Sequence, residues 1–134
     1  MSREIPDYVD GHNLLAAKAV LITAAAGAGI GFSAAKRAVE EGARAVVISD
    51  VHEGRLSQAR EALAGLSDAC RVGAELGDVT DETQVQALVE FAEGETGGVD
   101  ILINNAGLGG SCRLTDMTDE AWSRVLDITL TGTM

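Results

Sequence analysis

"LITAAAGAGIG", residues 21–31, sets an apolar run directly against a turn built almost wholly of Ala and Gly, with a helical pattern starting at its end. So little side-chain bulk at the exit of a strand lets something large approach the backbone. The flanking sequence repeats the same unit. "KAVLIT" (18–23), "ARAVVISD" (43–50) and "DILINN" (100–105) are short runs nearly continuous in Val, Ile and Leu, with "CRVGAELGD" (70–78) a weaker one. Such runs are expected of strands covered on both faces. Helical periodicity fills the intervals. Ile30, Ala34, Ala35, Ala38 and Val39 share one face, Leu56, Ala59 and Leu63 a second, and Val85, Leu88, Val89 and Ala92 a third. Thr80 and Thr118, each followed by acids, are expected N-caps. Alternation of β and α through four strands predicts an α/β fold: a parallel sheet with helices on both faces.

Composition narrows the function classes. The 134 residues are 46% hydrophobic, enough for a packed core, with one Pro and 16 Gly. A net charge of −11 argues against nucleic acid or an anionic membrane as partner, because both demand a basic footprint. Cys70 and Cys112 have no metal-ligand spacing around them and are expected to be reduced thiols, with no metal. No apolar run approaches membrane-spanning length, and residues 1–18 lack the features of a signal peptide, so a cytoplasmic location is expected.

Within that fold the opening stretch is the turn between the first strand and first helix. Backbone N–H groups there face any ligand, and glycine lets a pyrophosphate come close. Alone, the pattern serves equally as a tight turn or as a nucleotide site of another kind. Asp50 ends the second strand 19 residues after Gly31, near the offset at which an acid takes ribose hydroxyls, with a helix-capping or solvated acid as the alternative. Asp78 ends the third strand at the same rim. "INNAGLGG" (103–110) leaves the fourth with two amides that can tie strand ends together, or it is an ordinary Asn/Gly turn.

Taken in order, the Gly-rich turn, "SD" at 49–50, "DVTD" at 78–81, "NNAG" at 104–107 and "WSRVLDITLTGT" at 122–133 resemble the short-chain dehydrogenase/reductase family over essentially the whole chain. The resemblance implies a Rossmann-type, doubly wound, three-layer α/β/α sheet in the order 3-2-1-4, reaching only to the fourth strand and the helix after it. It implies one partial domain over 1–134, with 1–16 as an N-terminal extension. It also implies an NAD(P)-dependent oxidoreductase moving hydride between a secondary alcohol and a ketone, with NAD ahead of NADP and a homo-oligomeric assembly. By the same resemblance Gly27, Ala28, Gly29, Ile30 and Gly31 wrap the pyrophosphate and Asp50 holds the adenosine ribose. Asp78 and Val79 flank the adenine, and Asn105, Ala106 and Gly107 meet the inner dinucleotide.

Three departures qualify this. Counting back from Gly29 and Gly31 puts Ala24 and Ala25 at the family's Thr-Gly pair, unless the turn is one residue longer and Thr23 is that Thr. Thr129 stands where the family carries an Asn that helps order a proton-relay water. The family's chemistry rests on a Ser and a Tyr-x-x-x-Lys pair, whereas Tyr8 is the single Tyr here and no Lys follows it at that spacing. No catalytic residue is therefore assigned. The 134-residue chain alone is expected to bind NAD weakly, to turn nothing over, and to associate through residues 99–105. A non-catalytic dinucleotide-binding or interaction module is the alternative, and a Rossmann methyltransferase a distant third that leaves "NNAG" unexplained. His12 sits in no ligand pattern. His52 is expected in a solvated loop, with a place beside the adenosine as the alternative. Ser111 and Cys112 are expected bystanders, with a place facing the substrate as the alternative, and Trp122, Val125, Leu126 and Thr129 are expected to form a core stripe.

Overall fold

The computed structural model describes residues 6–109 and 111–134; residues 1–5 of the N-terminal extension and Gly110 of the "NNAGLGG" segment lie outside the described residues. Four parallel strands form one sheet: β1 (Ala19–Ile22), β2 (Ala45–Asp50), β3 (Arg71–Leu76) and β4 (Ile101–Ile103), in the order β3-β2-β1-β4. Register pairs Ile22 with both Ile48 and Ile103, so the three strands end together at one rim. β1 and β2 are buried along their whole length, as the apolar runs Ala19–Ile22 and 45–48 lead one to expect, and β2 carries the buried polar Ser49 and Asp50 at its end.

Alternation within the strands divides the core in two. Val20, Ile22, Val46 and Ile48 face α1 (Ile30–Glu40) and α2 (Glu53–Ala64), meeting Ala35, Val39, Leu56 and Leu63. Leu21 and Val47 face α3 (Glu82–Thr96) through Leu88 and Ala92. Helices thus cover both faces. β4 departs from the expectation of two-sided cover, since Leu102 is 55% exposed: α3 covers Leu21 and Val47 but does not extend over the edge strand.

Three other expectations need correction. Asp81, one residue past Thr80, caps α3 by accepting from the N–H groups of Thr83 and Gln84 at 2.9 and 3.2 Å. The carboxylate reaches two orphan donors, whereas the Thr80 hydroxyl is engaged with Asp78. Ile30 and Val89 do not join their helices' buried faces: Ile30 opens α1 beyond the sheet rim, and Val89 turns away from the Leu88–Ala92 row. The Trp122 stripe lies on α4 (Asp119–Thr129), which Thr118 caps as expected, but no residue of α4 is buried. α4 meets the rest of the chain at its C-terminal end, where Thr129 touches Leu108 and the following Gly132 lies so close to Val79 that a Cβ there would fall 2.7 Å from its Cγ2.

At the opposite end of the sheet, residues 9–16 strap across the C-terminus of α1. The buried Glu41 carboxylate accepts from the His12 and Leu14 N–H groups at 2.7 and 3.1 Å and pairs with Arg37. Those bonds, that of His12 foremost, hold the Glu41 carboxyl below its ordinary range. His12 is therefore remote from the rim where the strands end. No helix among the described residues is long and apolar enough to cross a membrane.

Candidate functional site: the cleft at the carboxyl rim of the sheet

The turn between β1 and α1 begins at Thr23, whose side chain does what the Ala-rich sequence around it cannot. Its Oγ1 accepts from the backbone N–H groups of Asn105 and Ala106 at 3.0 and 3.1 Å. In return, Asn105 Nδ2 donates to the carbonyls of Thr23 and Ala24, both at 3.0 Å. The exits of β1 and β4 are thereby laced together by four bonds. Gly31 is required beneath this lacing, because a Cβ there would lie 2.5 Å from Asn105 Nδ2 and 2.9 Å from the Ala24 carbonyl. Ala24 carries the left-handed conformation, φ +50°, while Ala25 is fully buried and is not among the positive-φ residues.

Beyond the lacing the turn is open. A Cβ added to Gly29 would meet no neighbouring side chain or backbone within 4 Å, so packing within the chain does not demand its bareness; Gly27 is equally open, but its φ of +105° itself calls for glycine. α1 also lacks both a side-chain cap and a first-turn acid, unlike α3 and α4, which carry both. Its N-terminus is left to whatever lies outside the turn, and the macrodipole favours an anion there.

Beside the turn lies a cleft of about 340 Å³. It gathers Asp50, Asp78, Val79, Ala106 and Gly107 from three different strand ends, together with Ala24 from the turn. Asn105 and residues 27–31 adjoin it through the turn and the lacing rather than lining it. The Asp50 carboxylate is 7% exposed and accepts from the Ala26 and His52 N–H groups at 3.3 and 3.1 Å, with Arg55 3.5 Å away. Asp78 Oδ1 accepts from both the N–H and the hydroxyl of Thr80, which fixes the loop carrying Val79. The arrangement offers two carboxylates around one hollow, with a bare turn adjoining it. A group with hydroxyls for the acids, a flat ring between Val79 and Gly107, and an anion for the turn fits that donor and acceptor set.

Ile128, Arg124 and Leu108 wall this cleft although the sequence does not single them out, and His52, expected in a solvated loop ahead of a place beside the adenosine, lines it. For Leu108 the adjacent "NNAG" was the available signal; α4 gave none, because its polar and apolar spacing looks alike whether it faces a core or a hollow. Ser111 and Cys112 sit in a separate apolar hollow with Met117 and Ala121. Both cysteines are free thiols, Cys70 buried and Cys112 exposed.

The family model described as short chain dehydrogenase matches residues 18–134. A curated relative from Mycobacterium tuberculosis, (5R,7aS)-5-hydroxy-7a-methyl-1-oxo-2,3,5,6,7,7a-hexahydro-1H-indene-carboxyl-CoA reductase, is 49% identical over 95% of this chain and 48% of its own length. The crystal structure of a short chain dehydrogenase from Mycobacterium smegmatis superposes with a TM-score of 0.93 at 53% identity, covering 98% of this chain and 54% of that one. A 3-ketoacyl-(acyl-carrier-protein) reductase from Brucella melitensis, solved with NADH, gives 0.78 at 34% identity over 89% of this chain and 47% of that one. The chain thus spans about half the length of the relatives it matches.

Proposed function

Because this chain belongs to the short-chain dehydrogenase/reductase family, we propose that the rim cleft is the NAD site of an oxidoreductase acting between secondary alcohols and ketones. The observation that carries the reading is the Asp50 carboxylate, which closes β2, faces the cleft and lies beside the open turn. Two ribose hydroxyls can donate to it, whereas a 2′-phosphate would meet its charge. Gly27, Ala28, Gly29, Ile30 and Gly31 would take the pyrophosphate at the α1 N-terminus. Asp78 and Val79 would flank the adenine, and Asn105, Ala106 and Gly107 the inner dinucleotide. NAD supplies the hydride acceptor when bound. The residues of this chain bind and orient it, and Thr23 and Asn105 keep the two strand exits at fixed separation.

These 134 residues contain no Tyr-x-x-x-Lys pair. In this reading they bind dinucleotide without turning over, and the proton-transfer groups come from elsewhere in the polypeptide. The name of the Mycobacterium tuberculosis relative makes a CoA ester of a fused-ring ketone the first substrate to try. The test is to express the segment alone and within its full coding sequence, and to follow nicotinamide absorbance with that ester and with simple secondary alcohols. Turnover confined to the longer polypeptide supports the proposal. Turnover by the isolated segment, or by neither with any alcohol or ketone, overturns it.

A further inference from the structure

The loop that leaves β4 is fastened at two points. Its near end is tied to β1 through Thr23 and Asn105. Three residues further on, the Leu108 N–H donates to Thr129 Oγ1 at 3.1 Å, and the same hydroxyl donates back to the Leu108 carbonyl at 3.5 Å. Thr129 is the last residue of α4, and a Cβ added to Gly107 would sit 3.9 Å from both its Cγ2 and its Oγ1. Ala106, Gly107 and Leu108 all line the cleft, as does Ile128 immediately before the threonine. Among the described residues Leu108 forms no hydrogen bond besides these two.

We propose that Thr129 is a positioning residue: its hydroxyl clasps Leu108 and so sets the backbone of residues 106–108 as one wall of the cleft. The stronger half of the clasp is the Leu108 N–H donating to the hydroxyl oxygen at 3.1 Å, with the Leu108 carbonyl 3.5 Å from the same oxygen. Thr129 therefore fixes a loop through its side-chain oxygen. The inference rests on the proposed dinucleotide site for its consequence, but the clasp itself can be examined without any ligand.

The experiment uses the full polypeptide carrying this segment, with Thr129→Val, Thr129→Ala and Thr129→Ser. Site-resolved amide hydrogen exchange in the free protein is the first readout. Val and Ala should abolish protection at Leu108 while leaving Asn105 and Ala106 protected, and Ser should retain it. Two variants of different size keep the test alive if one of them fails to fold. NAD affinity is the second readout, expected to fall about five- to tenfold for Val and Ala, the worth of one ordinary hydrogen bond, and less than about twofold for Ser. Unchanged protection at Leu108 in Val and Ala overturns the clasp. Lost protection with unchanged NAD affinity overturns its role in setting the cleft wall. Absence of NAD binding by the wild type would instead refute the proposed function, and the exchange result would still decide the clasp.

Discussion

Replacing Thr23 by Val tests whether the lacing at the strand exits organises the rim. Valine keeps the β-branched shape and volume, so no cavity opens and the change isolates the hydroxyl. Two backbone donors, the N–H groups of Asn105 and Ala106, lose their acceptor at 3.0 and 3.1 Å. Each is partly buried, which places the cost of leaving it unmade at the low end of about 1–3 kcal/mol, and the pair at about 2 kcal/mol. Thr23 itself is 6% exposed, so water cannot readily replace the lost oxygen. The assay is urea denaturation of wild type, Thr23→Val and Thr23→Ser, compared at equal m-value. Thr23→Ser should lie close to wild type. A loss below about 0.5 kcal/mol for Val, the scale of an ordinary surface substitution, would refute the reasoning.

Three further outcomes follow from the same geometry. Ala24→Gly removes a left-handed alanine at φ +50° and should stabilise by about 0.5–1 kcal/mol in the same denaturation assay, after the entropy cost of glycine. Gly31→Ala drives a Cβ to within 2.5 Å of Asn105 Nδ2 and should cost about 2–3 kcal/mol, whereas Gly29→Ala, with open space and φ −90°, should leave the melt almost unchanged yet weaken dinucleotide binding in a titration. The Glu41 carboxyl is held below its ordinary value of 4.5, so its contribution is complete above that pH and is lost as pH falls through the lowered folded value; melting temperature should drop there, and drop less steeply in Glu41→Gln.

The sheet was legible because β1 and β2 are buried on both faces and their sequence is apolar up to the polar Ser49–Asp50 end of β2, and its order came with the resemblance carried by the turn and "NNAG". Asp50 and Asp78 were legible as rim acids because a parallel sheet puts every strand's carboxyl end on one side. What escaped was direction within the first turn of a helix and at the sheet edge. Ile30 satisfies the apolar spacing of α1, yet it precedes the part of the helix that lies on the sheet. The stripe from Trp122 to Leu126 has core periodicity, and periodicity records which residues share a face but not whether a strand lies beneath it. Thr23 and Thr129 are decisive through hydroxyls that bond across more than 20 residues of sequence, which local pattern does not record.

The central claim is that the Asp50 carboxylate reads the ribose of a dinucleotide lying in the rim cleft. It is tested most directly by titrating NAD and NADP into the full polypeptide carrying this segment, as wild type and as Asp50→Asn, which keeps the shape and one acceptor oxygen while removing the charge. Arg55, 3.5 Å from the carboxylate, softens the repulsion of a 2′-phosphate without cancelling it. The account predicts that NAD binds the wild type at least about tenfold more tightly than NADP, roughly 1.4 kcal/mol, and that the Asn variant brings the two affinities together. Equal affinities in the wild type, or a preference that survives the loss of the charge, would contradict it.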